Sequence, residues 1–503
     1  MKTPSAELFE LIRSLSTQEK VQFKLYASRK KAESDYIKLF DAIDQQGEYN
    51  EALIKKKLKN VPLVKHLDRV KSYVIESILK CLQEYHSSDS ATSTLCNFIQ
   101  QIELLMSKRL FVSAKKIITR AEKAARGAHN YYYLGIILSL RREVMVAETN
   151  LEELNNYSVK IYPEEIRSVK KLKNTVDYTK LHVQVIGATY SQSWTAHKNL
   201  KILLKDPLLR SETNALSLPA RINYHDISGR IFYLLDDWSK SFRHYKKIVF
   251  ILEQHPLYLE SRAEFYLTVL SRMLVINIRQ KKDEELILLY RKVKSYMDSL
   301  PKKLWSKSIF RIYMGINNNY IARHLQSHHL KEALRLSEEI NKSLIKQFDT
   351  QVLMVFNMNR FMIYFYLNDF HKALPCVSTI LAEERTGIRK DLVYDMKFLN
   401  LMLHYELGNS EMLPNLCRST ERYLGKTRPL NSLERSAFHF FSRVILKADT
   451  KKERINAFAG LQKELHRHKK ERIGKFFDFD AWVESKIESK PFSEVVKNRE
   501  QNE

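Results

Sequence analysis

Asn368-Asp369-Phe370-His371-Lys372-Ala373-Leu374 is the stretch whose reading decides the fold. A short polar turn is followed by an aromatic or other large apolar residue, here Phe370. Three positions later a small residue sits inside the helix that the turn opens. Leu330-Lys331-Glu332-Ala333-Leu334 repeats the pattern, as do Trp238-Ser239-Lys240-Ser241-Phe242 and Phe111-Val112-Ser113-Ala114. Gly408-Asn409-Ser410-Glu411-Met412-Leu413 is a degenerate copy. Ala333 to Ala373 is 40 residues, and Ala373 to Leu413 is 40 again. Weaker turns near Ala196 and Leu286 lie 45 residues on either side of Ser241, and Leu286 to Ala333 is 47. A turn near Leu154 fills the gap between Ala114 and Ala196, which gives about eight helix pairs.

Such a period has a simple physical cause. Two antiparallel helices joined by a tight turn cannot bury both apolar faces alone, and stacking on the next pair completes the burial. The small residue lets two helices cross closely, and the aromatic fills the cleft beside it. Composition agrees. The 503 residues contain only 11 Gly and 11 Pro. Sheet-rich folds need more of both, for positive φ in tight turns and for strand edges. Apolar residues make up 44% of the chain, so it has the material for packed cores.

The N-terminal stretch predicts a helical domain of its own. A first helix runs over 5–14. Ser16-Thr17-Gln18-Glu19 reads as a capping box that opens a helix carrying Val21, Phe23, Leu25 and Tyr26. Tyr36 to Gln45 is a third helix, and Asn50 or Tyr49 opens a fourth. Pro62 starts a long fifth, with Val70, Val74, Ile78 and Leu82 at helical spacing. Ser and Thr crowd residues 87–94, which read as a linker. The expected organisation is an N-terminal helical domain over 1–90, helical repeats over 91–446 and C-terminal capping helices over 447–503.

The formal net charge is +26, and no segment is a basic tail. Residues 1–86 carry +4, residues 447–503 carry +3, and the remainder is spread over the long middle. A field of that sign suits nucleic acid or an acidic surface, and equally a soluble protein with solvated Lys faces. Cys81, Cys96, Cys376 and Cys417 form no CxxC pair and suggest a reducing compartment. No signal peptide is read at the N-terminus. The longest uncharged apolar stretch, Gly127 to Leu140, is too short to span a bilayer. Cytoplasmic localisation without membrane insertion is the expectation.

Asp369-Phe370-His371-Lys372-Ala373-Leu374 resembles the tetratricopeptide signature, with an acidic residue and an aromatic before Lys-Ala-Leu. Gly229 and Phe232 stand upstream of Ser241 where that signature places its first-helix Gly and aromatic, and Tyr245 and Ile248 match its second helix. The period exceeds that family's, most copies lack the Gly, and the terminal Pro is usually absent. The resemblance covers roughly 95–446. It implies an all-α fold, a right-handed superhelix of antiparallel helix pairs behind the N-terminal domain. The opening, Ser14-Leu15-Ser16-Thr17-Gln18-Glu19-Lys20 with Phe23-Lys24-Leu25-Tyr26-Ala27, is similar to that of a group of large bacterial tetratricopeptide-like proteins. Phe477-Asp478-Phe479-Asp480-Ala481-Trp482-Val483-Glu484-Ser485-Lys486 is similar to their closing segment. In such stacks the first helix of each pair lines the concave face. Counting back from the turns places Asn318, Gln326, Met358, Met362, Tyr366 and Tyr405 toward that groove as partner contacts, with Phe398 divided between groove and core.

Motifs for catalysis are missing. Neither GxxxxGK[ST], GxGxxG, HExxH nor GxSxG occurs. His328-His329 and His466-x-His468 lack a third ligand at metal spacing. His324, Tyr364 and His404 share one repeat phase and read as a packing column. Cys376 and Cys417 read as small buried thiols. Glu338-Glu339, Glu383-Glu384 and Asp478/Asp480 read as solvated faces. No cofactor, metal or catalytic residue is expected. The expected function is a non-enzymatic scaffold for a protein or peptide. The alternative is a nucleic-acid-binding regulator that uses its N-terminal helices, with Lys55, Lys56, Lys57 and Lys59 on phosphates, or the cluster Arg467-His468-Lys469-Lys470-Glu471-Arg472.

Overall fold

The computed structural model describes residues 6–28, 34–58, 66–87, 90–148, 155, 157–190, 194–301, 304–340, 349–426, 428–468, 471, 473–474 and 476–502. Every regular element among them is helical, and no strand occurs there. The chain divides into two compact units, residues 1–234 with 251–261 and residues 235–250 with 262–503. The many packed helices accord with a helical-repeat protein.

One turn recurs through the chain. Arg109, His129, Asp236, Lys281, His328, Asn368 and Gly408 have φ between 49° and 75°. Each stands two residues before a helical segment, at Phe111, Tyr131, Trp238, Asp283, Leu330, Phe370 and Ser410. In six of the seven, the amide after the left-handed residue donates back across the turn. Lys282 N–H bonds the Asn277 carbonyl at 3.0 Å, His329 the His324 carbonyl at 2.9 Å, and Asp369 the Tyr364 carbonyl at 2.8 Å. This is the Schellman arrangement, which satisfies a carbonyl at the helix end and reverses the chain within three residues. Only Gly408 is glycine here. A residue with a Cβ pays roughly 1–2 kcal/mol for that conformation, and the packing of the hairpin outweighs it.

The residues at this phase after the turns, mostly small, are buried. Ala114, Ser241, Ala333, Ala373 and Leu413 are each 0% exposed, and Leu286 is 2% exposed. The phase read from the sequence is therefore the phase of close helix crossing. In the second unit, Ala263–Arg279 packs on Asp283–Ser299 and on Lys307–Gln326. Lys307–Gln326 packs on Leu330–Glu339 and on Thr350–Tyr366. Thr350–Tyr366 packs on Phe370–Leu381 and on Lys390–Glu406, which packs on Leu413–Gly425. Each first helix thus meets its own partner and the next first helix. Tyr290 pins two of these hairpins together. Its ring stacks on Tyr320 at 3.8 Å, and its hydroxyl donates to Asn317 Oδ1 at 2.7 Å. The C-terminal helices Lys451–Arg467, Phe479–Glu488 and Phe492–Asn502 join the same core, which runs from Met354 to Val496.

In the first unit, helices Glu7–Ser14, Thr17–Ser28, Ser34–Asp44, Glu51–Lys57 and Leu67–Tyr85 share a core from Leu8 to Cys81. The expected capping box is present. Glu19 N–H donates to Ser16 Oγ at 3.2 Å, and Ser16 N–H to Glu19 Oε2 at 2.7 Å. Asn50 Oδ1 caps the fourth helix through Leu53 N–H. The fifth begins at Leu67; Pro62 lies outside the described residues. The Ser/Thr run is not a linker beyond residue 90. Ser90 Oγ accepts from Ser93 N–H at 3.0 Å and starts the helix Ala91–Ser107, because hydroxyls cap as readily as they loop.

Of the expected turns near Leu154 and Ala196, Leu154 lies outside the described residues; Ala196 sits near the start of the helix Trp194–Leu203, and residues 191–193 before it lie outside the described residues. Between them runs one helix of 29 residues, Tyr162–Tyr190, which packs on Tyr131–Glu148 and Leu218–Leu234. The hairpin period is interrupted there.

The turn geometry makes a prediction at Lys281, whose side chain is exposed. Lys281→Gly removes the Cβ strain and should stabilise the protein by about 1 kcal/mol, while Lys281→Val should destabilise it by at least as much. Thermal melts of both variants test this; equal melting temperatures would mean that the residue does not sit in the left-handed region.

Candidate functional site

The groove residues read from the sequence do not form one open surface. Asn318, Met358 and Met362 are 4%, 4% and 8% exposed. Asn359 Nδ2 donates to the Asn318 carbonyl at 3.1 Å, and Met358 and Met362 belong to the core of the second unit. Phe398 stacks on Phe438 at 5.1 Å and is core. Tyr366 is half-buried against Phe492, with ring centroids 4.8 Å apart. Tyr405 is half-buried edge-on to Phe458 and Trp482, and burial pushes its phenol up to about 12. Gln326, at the end of its helix, is exposed. The six positions lie on the helices Lys307–Gln326, Thr350–Tyr366 and Lys390–Glu406. What counting along the repeat lacked was the C-terminal segment, whose rings cover two of the six positions.

That segment is held by buried polar groups. The Trp482 ring is fully buried, and its Nε1–H donates to Glu406 Oε1 at 2.7 Å. Asp395, buried on Lys390–Glu406, accepts Phe476 N–H at 2.9 Å on Oδ2. Gly474 makes that approach workable. Its φ is +75°, and a Cβ there would stand 3.3 Å from the Asp395 carboxyl atoms. Asp478 Oδ1 caps the helix Phe479–Glu488 through Ala481 N–H. The closing motif of the sequence is thus a plug, a cap and an anchor.

Around this anchor lies a cleft of about 720 Å³. Leu433, Leu465, Ile473, Phe477 and Phe479 give it an apolar floor, and Phe476 stands partly exposed beside it. Glu471, Asp478, Asp480, His466 and Arg499 supply its polar groups. Arg499 reaches Asp480 at 3.0 Å, Asp478 at 3.5 Å and Glu484 Oε2 at 2.7 Å from Nε. Glu471 Oε2 accepts Leu433 N–H at 3.1 Å. One guanidinium is thereby surrounded by carboxylates, and the rim leans acidic within a basic protein. Sequence reading placed Asp478 and Asp480 on a solvated face; their convergence on Arg499 depends on the last helix folding back.

The remaining sequence candidates are structural. His324 packs edge-on against Tyr320 at 4.6 Å, and both its ring nitrogens are buried without a hydrogen-bond partner. Burial lowers its pKa and that of His404, so both rings stay neutral at pH 7. Tyr364 and His404 are 4% and 8% exposed, as a packing column requires. Burial pushes the Cys376 thiol up to about 11 and Cys417 up to about 12, which makes both poor nucleophiles. Glu339 meets Arg335 and Lys294, and Glu384 meets Lys397 at 2.8 Å. Among the described residues no group of three His, Cys, Asp or Glu stands close enough to hold a metal ion.

The lysines proposed for phosphate are partly engaged. Lys55 pairs with Glu51 at 2.8 Å, and Lys57 donates to Gln45. Hydrogen bonds from Lys55 and from buried Lys71 hold Glu51 down at about 2. Arg467 pairs with Glu464 at 2.7 Å. Lys59, Lys469, Lys470 and Arg472 lie outside the described residues.

No known protein-family model matches this chain, and no curated protein matches it. The likeness to tetratricopeptide repeats rests on the residues quoted above.

Gly474→Ala tests the anchor. The added Cβ meets the Asp395 carboxyl and the backbone must hold a positive φ, so a loss of roughly 1–2 kcal/mol is expected. Gly460→Ala, whose Cβ meets nothing within 4 Å in a helix, should be neutral or stabilising. Equal melting shifts for the two would contradict the anchor.

Proposed function

We infer that this chain is a non-enzymatic scaffold of the tetratricopeptide-like class, a right-handed superhelix of antiparallel helix pairs that holds a protein or peptide partner. One observation carries the reading. In the second unit a run of hairpins ends in an amphiphilic cleft with an apolar floor and a charged rim. Its size falls in the range of ligand-holding clefts, roughly 300–1,000 Å³. An extended peptide suits it, with one apolar side chain on the Phe477 and Phe479 floor and a basic group at the acidic rim. Gln326 is the exposed member of the sequence-derived set, and Tyr366 and Tyr405 pack against Phe492 and Trp482 of the C-terminal helices.

The cytoplasm is the proposed compartment. Among the described residues no helix is long and apolar enough to cross a membrane.

The test is site-specific photocrosslinking in the native cell. A photoreactive amino acid at Phe476 should trap a polypeptide, and one at Lys281, on an exposed turn, should not. Crosslinks from Phe476 to nucleic acid alone, together with steeply salt-dependent binding of generic DNA, would replace the scaffold reading by the nucleic-acid one.

A further inference from the structure

The long helix of the first unit has two apolar faces. Ser168, Asn174, Tyr178, Leu181 and Val185 are buried against neighbouring helices. A helix with one buried face normally shows polar residues on the other. Here Tyr162, Ile166, Val169, Val176 and Val183 are 37% to 63% exposed. Val159, in the turn that leads into the helix, is 73% exposed.

Their spacing is regular. From Tyr162 onward the steps are 4, 3, 7 and 7, with Lys173 and Lys180 at the two intervening positions. Alternating steps of four and three put every member on one narrow seam, the pattern by which one helix receives another. Isolated exposed valines need no explanation, but a seam that continues for six turns does.

Charge says what kind of helix fits. Lys173 and Lys180 stand in the seam, and Lys170 stands exposed beside it. Lys173 pairs with Asp177 on its own helix, at 2.8 Å. Glu164 and Glu165, the acids at the start of the helix, are turned to Arg126 and Arg142. A second copy of this chain would bring the same basic seam, with no exposed carboxylate at the seam positions to meet Lys173 and Lys180. The narrow, β-branched seam also differs from the broad Leu, Phe and Trp face of helices that lie on lipid.

We propose that the exposed seam of Tyr162–Tyr190 is the docking surface for an acidic amphipathic helix of a partner protein, with apolar residues at alternating steps of three and four and carboxylates opposite Lys173 and Lys180. A partner helix of roughly 20 residues matches its length at 1.5 Å rise per residue. The inference concerns the first unit alone and does not depend on the cleft of the second.

The test uses the full-length protein and three fluorescein-labelled synthetic peptides of equal length, read by fluorescence anisotropy. The first is an amphipathic helix with Leu at the seam spacing and Glu at the flanks. The second carries Lys for each Glu, and the third scrambles the first. The first should bind, and the other two should bind at least about tenfold more weakly. Val169→Ser with Val176→Ser should weaken the first peptide about tenfold. Lys173→Glu with Lys180→Glu should reverse the preference toward the Lys peptide. Val112→Ser, exposed on another helix, should change nothing. All these positions are exposed, and circular dichroism checks that each variant stays folded. Equal binding of the scrambled peptide would reduce the effect to bulk charge and overturn the proposal. So would a dimer in sedimentation that Val169→Ser with Val176→Ser dissolves. So would binding to phosphatidylserine–phosphatidylcholine vesicles that the same double variant abolishes while the peptide series shows no preference.

Discussion

The turn with one left-handed residue is the constraint on which the rest of the structure depends. It closes a helix with a backbone bond to a carbonyl that would otherwise be orphaned, and it sends the chain back at once. The next helix then lies close to the last, and the residue at the crossing is fully buried, most often a small one. Ala114, Ala333 and Ala373 fill that place. The aromatic of the turn follows from the same geometry, since the crossing leaves a cleft that a ring closes. Conformation, residue size and hairpin stacking are thus one requirement seen at three levels.

That requirement also explains what the C-terminal helices cover. A hairpin stack always has a last face with nothing beyond it. Here the face carries Phe365, Tyr366 and Tyr405, and leaving such rings in water would be costly. The C-terminal segment covers them with Phe477, Trp482 and Phe492. Trp482 brings an indole N–H into the core and Glu406 accepts it, so burial leaves no donor stranded. The folding-back of the last helix gathers Asp478, Asp480 and Glu484 around Arg499. The cleft is a consequence of capping the stack.

Much of this was legible in the residues. Helix after helix follows from the shortage of Gly and Pro and from the spacing of the apolar positions. The small-residue phase follows from the turns, and the capping box from Ser16 and Glu19. What escaped reading has physical causes. Arg109, Lys281 and His328 carry no mark of a left-handed backbone, because the packing of the hairpin imposes it against their preference. Ser90 to Thr94 has a composition that serves a loop and a cap equally. Asn318, Met358 and Met362 lie on the predicted helices, but a repeat phase does not say which side a neighbouring helix covers. The two-faced helix Tyr162–Tyr190 shows the same limit. Its buried and exposed apolar residues are interleaved, and periodicity alone assigns both to a core.

Hydrogen exchange at single-residue resolution is the most direct measurement of the central claim. The account predicts slow exchange at the amides of Lys282, His329, Asp369 and Asn409, which stand in exposed turns yet bond the carbonyls of Asn277, His324, Tyr364 and His404. Fast exchange at these four amides, with protection confined to the helices on either side, would show that the turns are loose connections. The hairpin period would then lose its structural cause.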